Sequence, residues 1–233
     1  MQQNKISILS TRPIDESLIE EAKQLNIDID VLSFIETEPI RSIETQQEIE
    51  NALLKSSAVV FTSMNAVKAV ANELLDQQPD WRIYSIGNTT KQLVKKYFGE
   101  EAIAGTADSA TELAELIVEK DNSDEVFFFC GDQRRNELPE ILRSNDIEVN
   151  EIVVYQTIAV PLKVEKKYHG ILFFSPSAVE SFFSNNKMAE QTILFAIGNT
   201  TALALKKYSK NKIIISDEPG KENLVRKMME YFS

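Results

Sequence analysis

The chain has 233 residues, 43% of them hydrophobic, and a formal net charge of −11. That length supports one large domain or two small ones with separate cores, while the acidic balance argues against binding nucleic acid or a membrane surface, which need basic faces. A single cysteine, Cys130, allows no intrachain disulfide and fits a reducing compartment, and with only one histidine, His169, a transition-metal site is not expected. The start, MQQNKISILS, is too short and polar for a signal peptide, and no apolar run approaches membrane length, so the expected location is the cytoplasm.

In chain order, Lys5 to Leu9 reads as a strand stopped by Ser10-Thr11-Arg12-Pro13. Leu18, Ile19, Ala22 and Leu25 share one helical face, and Ile27, Ile29 and Val31 alternate as a short strand. Ser33 to Ile40 is extended, Glu44 to Leu54 helical, and Ser57 to Phe61 a strand apolar on both faces. A helix from TSMNAVKAV to Leu75 follows, then a strand from Trp81 to Ile86. Ala102 to Ala104 is a brief strand, and Asp108-Ser109-Ala110-Thr111 opens a helix to about Val118. Glu125 to Cys130 is a strongly apolar strand leading into GDQRRNELPEIL, a loop and a helix. Ile147 to Val149 is short, and Ile152 to Val160 is a separate, longer extended run. Strands at Gly170 to Phe174, Thr192 to Ile197 and Ile213 to Ile215 alternate with helices, the last near Lys221 to Tyr231. This rhythm predicts α/β layers with parallel sheets.

The chain repeats itself. SIGNTTKQLVKKYF (Ser85 to Phe98) and AIGNTTALALKKYS (Ala196 to Ser209) share IGNTT and KKY at the same spacing, 111 positions apart. FTSMNAVKAV (Phe61 to Val70) matches FFSPSAVESF (Phe173 to Phe182) at an offset of 112, and Ile6 to Thr37 matches Val126 to Thr157 more loosely at an offset of 120. Two halves share one plan. The extended exits SFIETEPI and IVVYQTIAV leave two arrangements open. Either each half is its own domain, or both exits cross and pair. Crossing exits would give one lobe of residues 1–36 plus 161–233 and another of 38–154, joined by linkers near 33–40 and 152–160.

Several stretches together resemble the uroporphyrinogen-III synthase family. They are FTS with AV (Phe61 to Val67), GDxxRxxL (Gly131 to Leu138), VYQT (Val154 to Thr157), FFSPS (Phe173 to Ser177) and AIGNTTA (Ala196 to Ala202). They stand in the family's order and span nearly the whole chain. Met64-Asn65 departs from the proline and polar residue common there. The resemblance implies two similar flavodoxin-like, parallel-sheet α/β lobes joined by a two-stranded linker, with substrate in the cleft between them. It favours the crossed arrangement. The implied reaction closes linear hydroxymethylbilane with loss of water and inversion of the last pyrrole ring through a spiro intermediate. No metal or organic cofactor is implied. The expected partner is the tetrapyrrole substrate, handed over from hydroxymethylbilane synthase, with the protein a monomer.

Such a substrate carries eight carboxylates, so an acidic protein must attract it locally. Ser/Thr/Asn-rich turns at helix N-termini after parallel strands suit that task, because their free backbone N–H groups hold anions. The candidate binding residues are Arg12, Thr62, Ser63, Asn65, Gly87, Thr89, Ser109, Gly131, Arg135, Ser175, Ser177, Gly198, Thr200 and Thr201. Plain helix capping is the alternative for each hydroxyl. Arg12 and Arg135 suit bidentate carboxylate pairing, and Arg135 fits the family's arginine in its glycine-aspartate loop. Arg134 is read as a solvated side chain. Tyr155, the tyrosine of VYQT, is the expected catalytic residue, since a neutral phenol can support a leaving hydroxyl. Thr200 or Thr201 is expected to matter more than Thr89. His169 and Cys130 are read as structural. A non-catalytic two-lobed binding or sensor protein is the competing class. A nucleotide-binding enzyme is disfavoured because no GxGxxG or Walker loop occurs.

Overall fold

The computed structural model describes residues 5–75, 77–218 and 220–233; the first four residues of MQQNKISILS lie outside them. Apolar runs bounded by turn residues form the strands. They are β1 (Ile6–Ser10), β2 (Ile27–Val31), β3 (Ile35–Pro39), β4 (Ala58–Phe61), β5 (Arg82–Ile86), β6 (Ile103–Ala107), β7 (Glu125–Gly131), β8 (Glu148–Ala159), β9 (Gly170–Phe173), β10 (Ile193–Ala196) and β11 (Ile213–Ile215). The helices are α1 (Glu16–Gln24), α2 (Ile43–Leu53), α3 (Met64–Leu74), α4 (Gly87–Phe98), α5 (Ala110–Lys120), α6 (Glu137–Ser144), α7 (Pro176–Asn185), α8 (Asn199–Tyr208) and α9 (Lys221–Phe232).

One sheet runs β11-β10-β9-β1-β2, with every pairing parallel. The other runs β3-β8-β7-β4-β5-β6, with β4 through β8 parallel. Numbered by their place in the repeat, both sheets have the flavodoxin-like order, in which the second strand flanks the first and the third lies on its other side. The described chain divides into two units. One holds the residues up to Glu36 with Ile158–Ser233, the other Thr37–Thr157. The first βαβ piece therefore joins the last three strands. The chain changes units inside β3 and inside β8, and these two strands neighbour each other in their sheet.

Each sheet is buried on both faces, which explains strands such as AVVF and EVFFFCG that show no polar alternation. Val59, Phe61, Phe127 and Phe129 point to one core, while Ala58, Val60, Val126 and Phe128 point to the other. Phe129 stacks on Phe61 at 5.4 Å and leans on Trp81 at 5.5 Å. Truncating it to Ala would cost about 3–5 kcal/mol. In the first unit, Leu172, Phe174 and Phe195 face one core and Ile171, Phe173 and Leu194 the other.

Two boundaries differ from the sequence reading. Ile147–Val149 and Ile152–Val160 are not separate pieces, because β8 runs unbroken through Asn150 and Glu151. Their polar side chains find lateral partners. Asn150 donates to Glu125 at 2.9 Å, and Glu151 receives Arg143 at 2.7 Å. The strand expected at Ala102–Ala104 lies at Ile103–Ala107, where Gly105 sits tightly under Tyr84 and Leu116.

Candidate active site

In a parallel sheet every strand delivers its following turn to the same edge. In the unit of residues 37–157, that edge carries Thr62-Ser63 after β4, Gly87 after β5, Asp108-Ser109 after β6 and Gly131-Asp132 at the end of β7. The order reverses between β7 and β4, so Gly131 and Ser63 flank the crevice where doubly wound sheets bind ligands.

Tyr155 reaches the same place from β8. Its hydroxyl donates to Ser63 Oγ at 3.1 Å. Ser63 is also the N-cap of α3 and accepts the Asn65 N–H at 3.2 Å. The ring lies against Gly131, where a Cβ would stand 2.4 Å from Tyr155 Cζ and 2.7 Å from its hydroxyl oxygen. A register shift between Cys130 and Gly131 sets Gly131 opposite Tyr155. Two further bonds hold this bulge, from Asp132 N–H to Tyr155 O at 3.1 Å and from Thr157 N–H to Asp132 Oδ1 at 3.0 Å. Burial raises the Tyr155 pKa above its usual value, so the phenol is neutral at neutral pH.

The other candidates of this unit divide by environment. Thr62 and Asn65 are half-buried beside Ser63, and Thr89 is exposed at the start of α4. Gly87 takes φ +68°, a left-handed conformation that suits glycine. Ser109 caps α5, accepting Glu112 N–H at 3.2 Å, while Glu112 Oε2 accepts Asp108 N–H at 3.2 Å. Asp108 and Glu112 place two carboxylates at that terminus, and capping is the role seen for Ser109. Arg135 is exposed. Arg134 is not simply solvated, contrary to the sequence reading. It is partly buried and pairs with Glu151, which Arg143 also contacts. Glu151 is well buried on β8, and a buried carboxylate needs such partners. Cys130 is buried, its thiol pushed up to about 12 by desolvation, which makes it inert.

In the other unit the corresponding reversal lies between β1 and β9. Thr11 is fully buried there and donates to Leu172 O through both N–H (3.1 Å) and Oγ1 (2.8 Å). This fixes Arg12, whose half-buried guanidinium has its pKa lowered by burial and which forms no ion pair among the described residues. Ser175 caps α7 and accepts Ala178 N–H at 3.2 Å; Ser177 lies in that helix's first turn. Gly198 is the N-cap of α8 with φ −175°, an extended geometry unlike that of Gly87, although IGNTT is the same in both copies. Thr200 is exposed, whereas Thr201 is 1% exposed. Thr201 is thus removed from the surface and cannot offer its hydroxyl there. His169 Nδ1 accepts Ser7 N–H at 3.0 Å, between the starts of β1 and β9 and away from the turns.

Asp132 and Thr157 were missed as candidates. The signal was available in Gly-Asp after an apolar strand, since aspartate commonly bonds nearby backbone N–H groups in turns.

A family model described as uroporphyrinogen-III synthase HemD matches residues 16–226. The chain belongs to the uroporphyrinogen-III synthase family. Among solved structures, it is similar to uroporphyrinogen-III synthetase from Helicobacter pylori, at 19% identity and a TM-score of 0.66, covering 97% of this chain and 99% of that one. It is also similar to a mutant uroporphyrinogen III synthase from Thermus thermophilus, at 13% identity and a TM-score of 0.63, covering 97% and 98%. Those likenesses concern the fold. As a uroporphyrinogen-III synthase family member, the protein is a lyase of tetrapyrrole biosynthesis acting on a tetrapyrrole substrate. Among the described residues, no helix is long and apolar enough to cross a membrane.

Proposed function

We propose that Tyr155 supports loss of the terminal hydroxyl of hydroxymethylbilane and that the strand-end turns hold the substrate's carboxylates. The reaction then proceeds by ring closure with inversion of the last pyrrole through a spiro intermediate. The observation that carries this reading is the neutral Tyr155 phenol, hydrogen-bonded to Ser63 at the point where strand order reverses.

The pyrrole nitrogen expels the hydroxyl through an azafulvene-type cation, so little acid strength is demanded of the protein. A neutral hydrogen-bond donor is enough to ease departure. The larger task is positioning, so that the substituted α-carbon attacks before the open one. Arg12, Arg135, Thr62, Asn65, Thr89, Ser177 and Thr200 supply side chains for acetate and propionate groups, and Gly87 and Gly198 expose backbone N–H groups at helix starts. Ser63, Ser109 and Ser175 take part first as caps. Substrate arrives from hydroxymethylbilane synthase, and the protein works as a cytoplasmic monomer.

The test is a coupled assay that generates hydroxymethylbilane in situ and separates product isomers. Spontaneous closure gives the uninverted isomer I. Added protein is expected to shift the product to isomer III. Isomer I alone would refute the reading.

A further inference from the structure

We infer that Asp132 is a positioning residue for Tyr155: its carboxylate ties down β8 just beyond the tyrosine and so holds the phenol in its seat. This rests on the reading of Tyr155 given above and assigns how that side chain is kept in place.

The pairing of β7 with β4 ends where Phe61 stands opposite Phe129, whereas its pairing with β8 runs on to Gly131 opposite Tyr155. Beyond Phe129 the place of β7 in the sheet therefore depends on β8, and the register shift between Cys130 and Gly131 interrupts that ladder too. In a parallel ladder a residue gives its N–H to one residue of the neighbouring strand and accepts with its carbonyl from the residue two further on. Asp132 makes the first of these bonds, from its N–H to Tyr155 O at 3.1 Å. The chain turns at Asp132, and the donor of the second bond, Thr157 N–H, goes instead to the side-chain Oδ1 at 3.0 Å. The carboxylate thus stands in for a ladder carbonyl. The direction of this bond is fixed, because a backbone amide only donates and an ionised carboxylate only accepts.

The two bonds bracket Tyr155, one on its own carbonyl and one on the amide two residues later. The ring lies so close to Gly131 that a Cβ there would stand 2.4 Å from Cζ, and its hydroxyl is 3.1 Å from Ser63 Oγ. A slip of β8 along β7 would move the ring off the glycine and the hydroxyl away from Ser63 together. Thr157 is also the last residue of its unit, so the Asp132 bond holds β8 at the point where the chain leaves. The loop that Asp132 opens is fastened to β8 a second time, ahead of Tyr155, by the pairing of Arg134 with Glu151. An anionic side chain at this turn is not a ligand for the substrate's own carboxylates, because like charges repel. Holding β8 is a task that suits it.

Initial rates of isomer III formation from hydroxymethylbilane generated in situ are measured for Asp132→Ala, Asp132→Asn, Tyr155→Phe and Asp132→Ala/Tyr155→Phe. The NMR signal of the Tyr155 ring is followed in protein carrying isotope-labelled tyrosine, and is identified by its loss in Tyr155→Phe. The expected result for Asp132→Ala is a kcat lowered by about 10-fold, short of the roughly 100-fold of a full 1 Å misplacement, with KM near that of the unaltered protein. Its Tyr155 signal should shift or broaden. Asp132→Asn keeps an acceptor oxygen for Thr157 N–H and should recover most of the rate and the signal. On the Tyr155→Phe background Asp132→Ala should add little further loss, because Asp132 acts through the tyrosine; a merely structural role would cost as much there as in the unaltered protein. A Tyr155 signal that stays in place in Asp132→Ala, a change in KM alone, equal losses in Asp132→Ala and Asp132→Asn, or losses that multiply in the double variant would overturn the assignment. A shifted signal with an unchanged rate would refute the role of Tyr155 in the reaction instead, so the two failures are distinct.

Discussion

Gly131→Ala tests whether the seat of Tyr155 controls the reaction. The added methyl would lie 2.4 Å from Cζ, 2.6 Å from Cε2 and 2.7 Å from the hydroxyl oxygen, whereas ordinary contact begins at 3.4 Å, so the ring must retreat by about 1 Å. The backbone of Gly131 cannot yield easily, being held in β7 beside a bulge that Asp132 and Thr157 brace. Overpacking of this kind costs about 1–3 kcal/mol of stability, and a displacement of about 1 Å in a positioned group lowers rates by about 100-fold. The retreat also breaks the 3.1 Å bond to Ser63. The assay follows isomer III initial rate and thermal midpoint in Gly131→Ala and in Gly131→Ala/Tyr155→Val. The smaller partner should restore the midpoint, because the collision is gone, but not the rate, because the phenol is gone. A Gly131→Ala protein with unaltered midpoint and kcat would refute the steric reasoning.

Arg12→Met should raise KM about 10-fold or more, the value of a charged hydrogen bond, while leaving the thermal midpoint equal or higher, since a half-buried cation that forms no ion pair among the described residues contributes nothing to stability; a fall in midpoint with unchanged KM would contradict the anion role. Gly87→Ala should destabilise by about 1 kcal/mol because φ is +68°, whereas Gly198→Ala, extended at −175° and free of nearby atoms, should be far milder; equal midpoints would refute the distinction. Asp121 accepts both Arg82 Nε and Nη2 at 3.0 Å and Tyr84 Oη at 3.1 Å, and its pKa lies at about 2 against 3.8 unperturbed. A depressed carboxylate stabilises the fold above its unfolded pKa and loses that contribution as pH falls through the folded value. Denaturant titrations should therefore show about 2 kcal/mol disappearing between about pH 4 and pH 2, and Asp121→Asn should remove that part of the pH dependence.

The parallel α/β plan was legible because strands such as Ala58–Phe61 and Glu125–Gly131 are apolar throughout and are followed by helix-start residues. The duplication was legible because IGNTT repeats intact. Backbone geometry was not, since identical letters hold Gly87 left-handed and Gly198 extended. Asn150 and Glu151 look like a break because the partners of their side chains, Glu125, Arg134 and Arg143, are distant in sequence or lie in other elements. For the same reason Arg134 looked solvated. Thr201 and Thr200 are chemically alike, and only helix phase buries one of them. Tyr155 was legible as a candidate through its motif, but its bond to Ser63, 92 residues away, required the β4-β7-β8 order to bring the two together.

The central claim is that this chain directs ring closure with inversion and that the Tyr155–Ser63 pair contributes to it. The most direct measurement is the isomer III to isomer I ratio formed from hydroxymethylbilane generated in situ, with the unaltered protein and with Tyr155→Phe. The expected result is isomer III from the unaltered protein and a lower isomer III rate from a fully folded Tyr155→Phe. Isomer I alone from the unaltered protein, or an undiminished isomer III rate in Tyr155→Phe, would contradict the account.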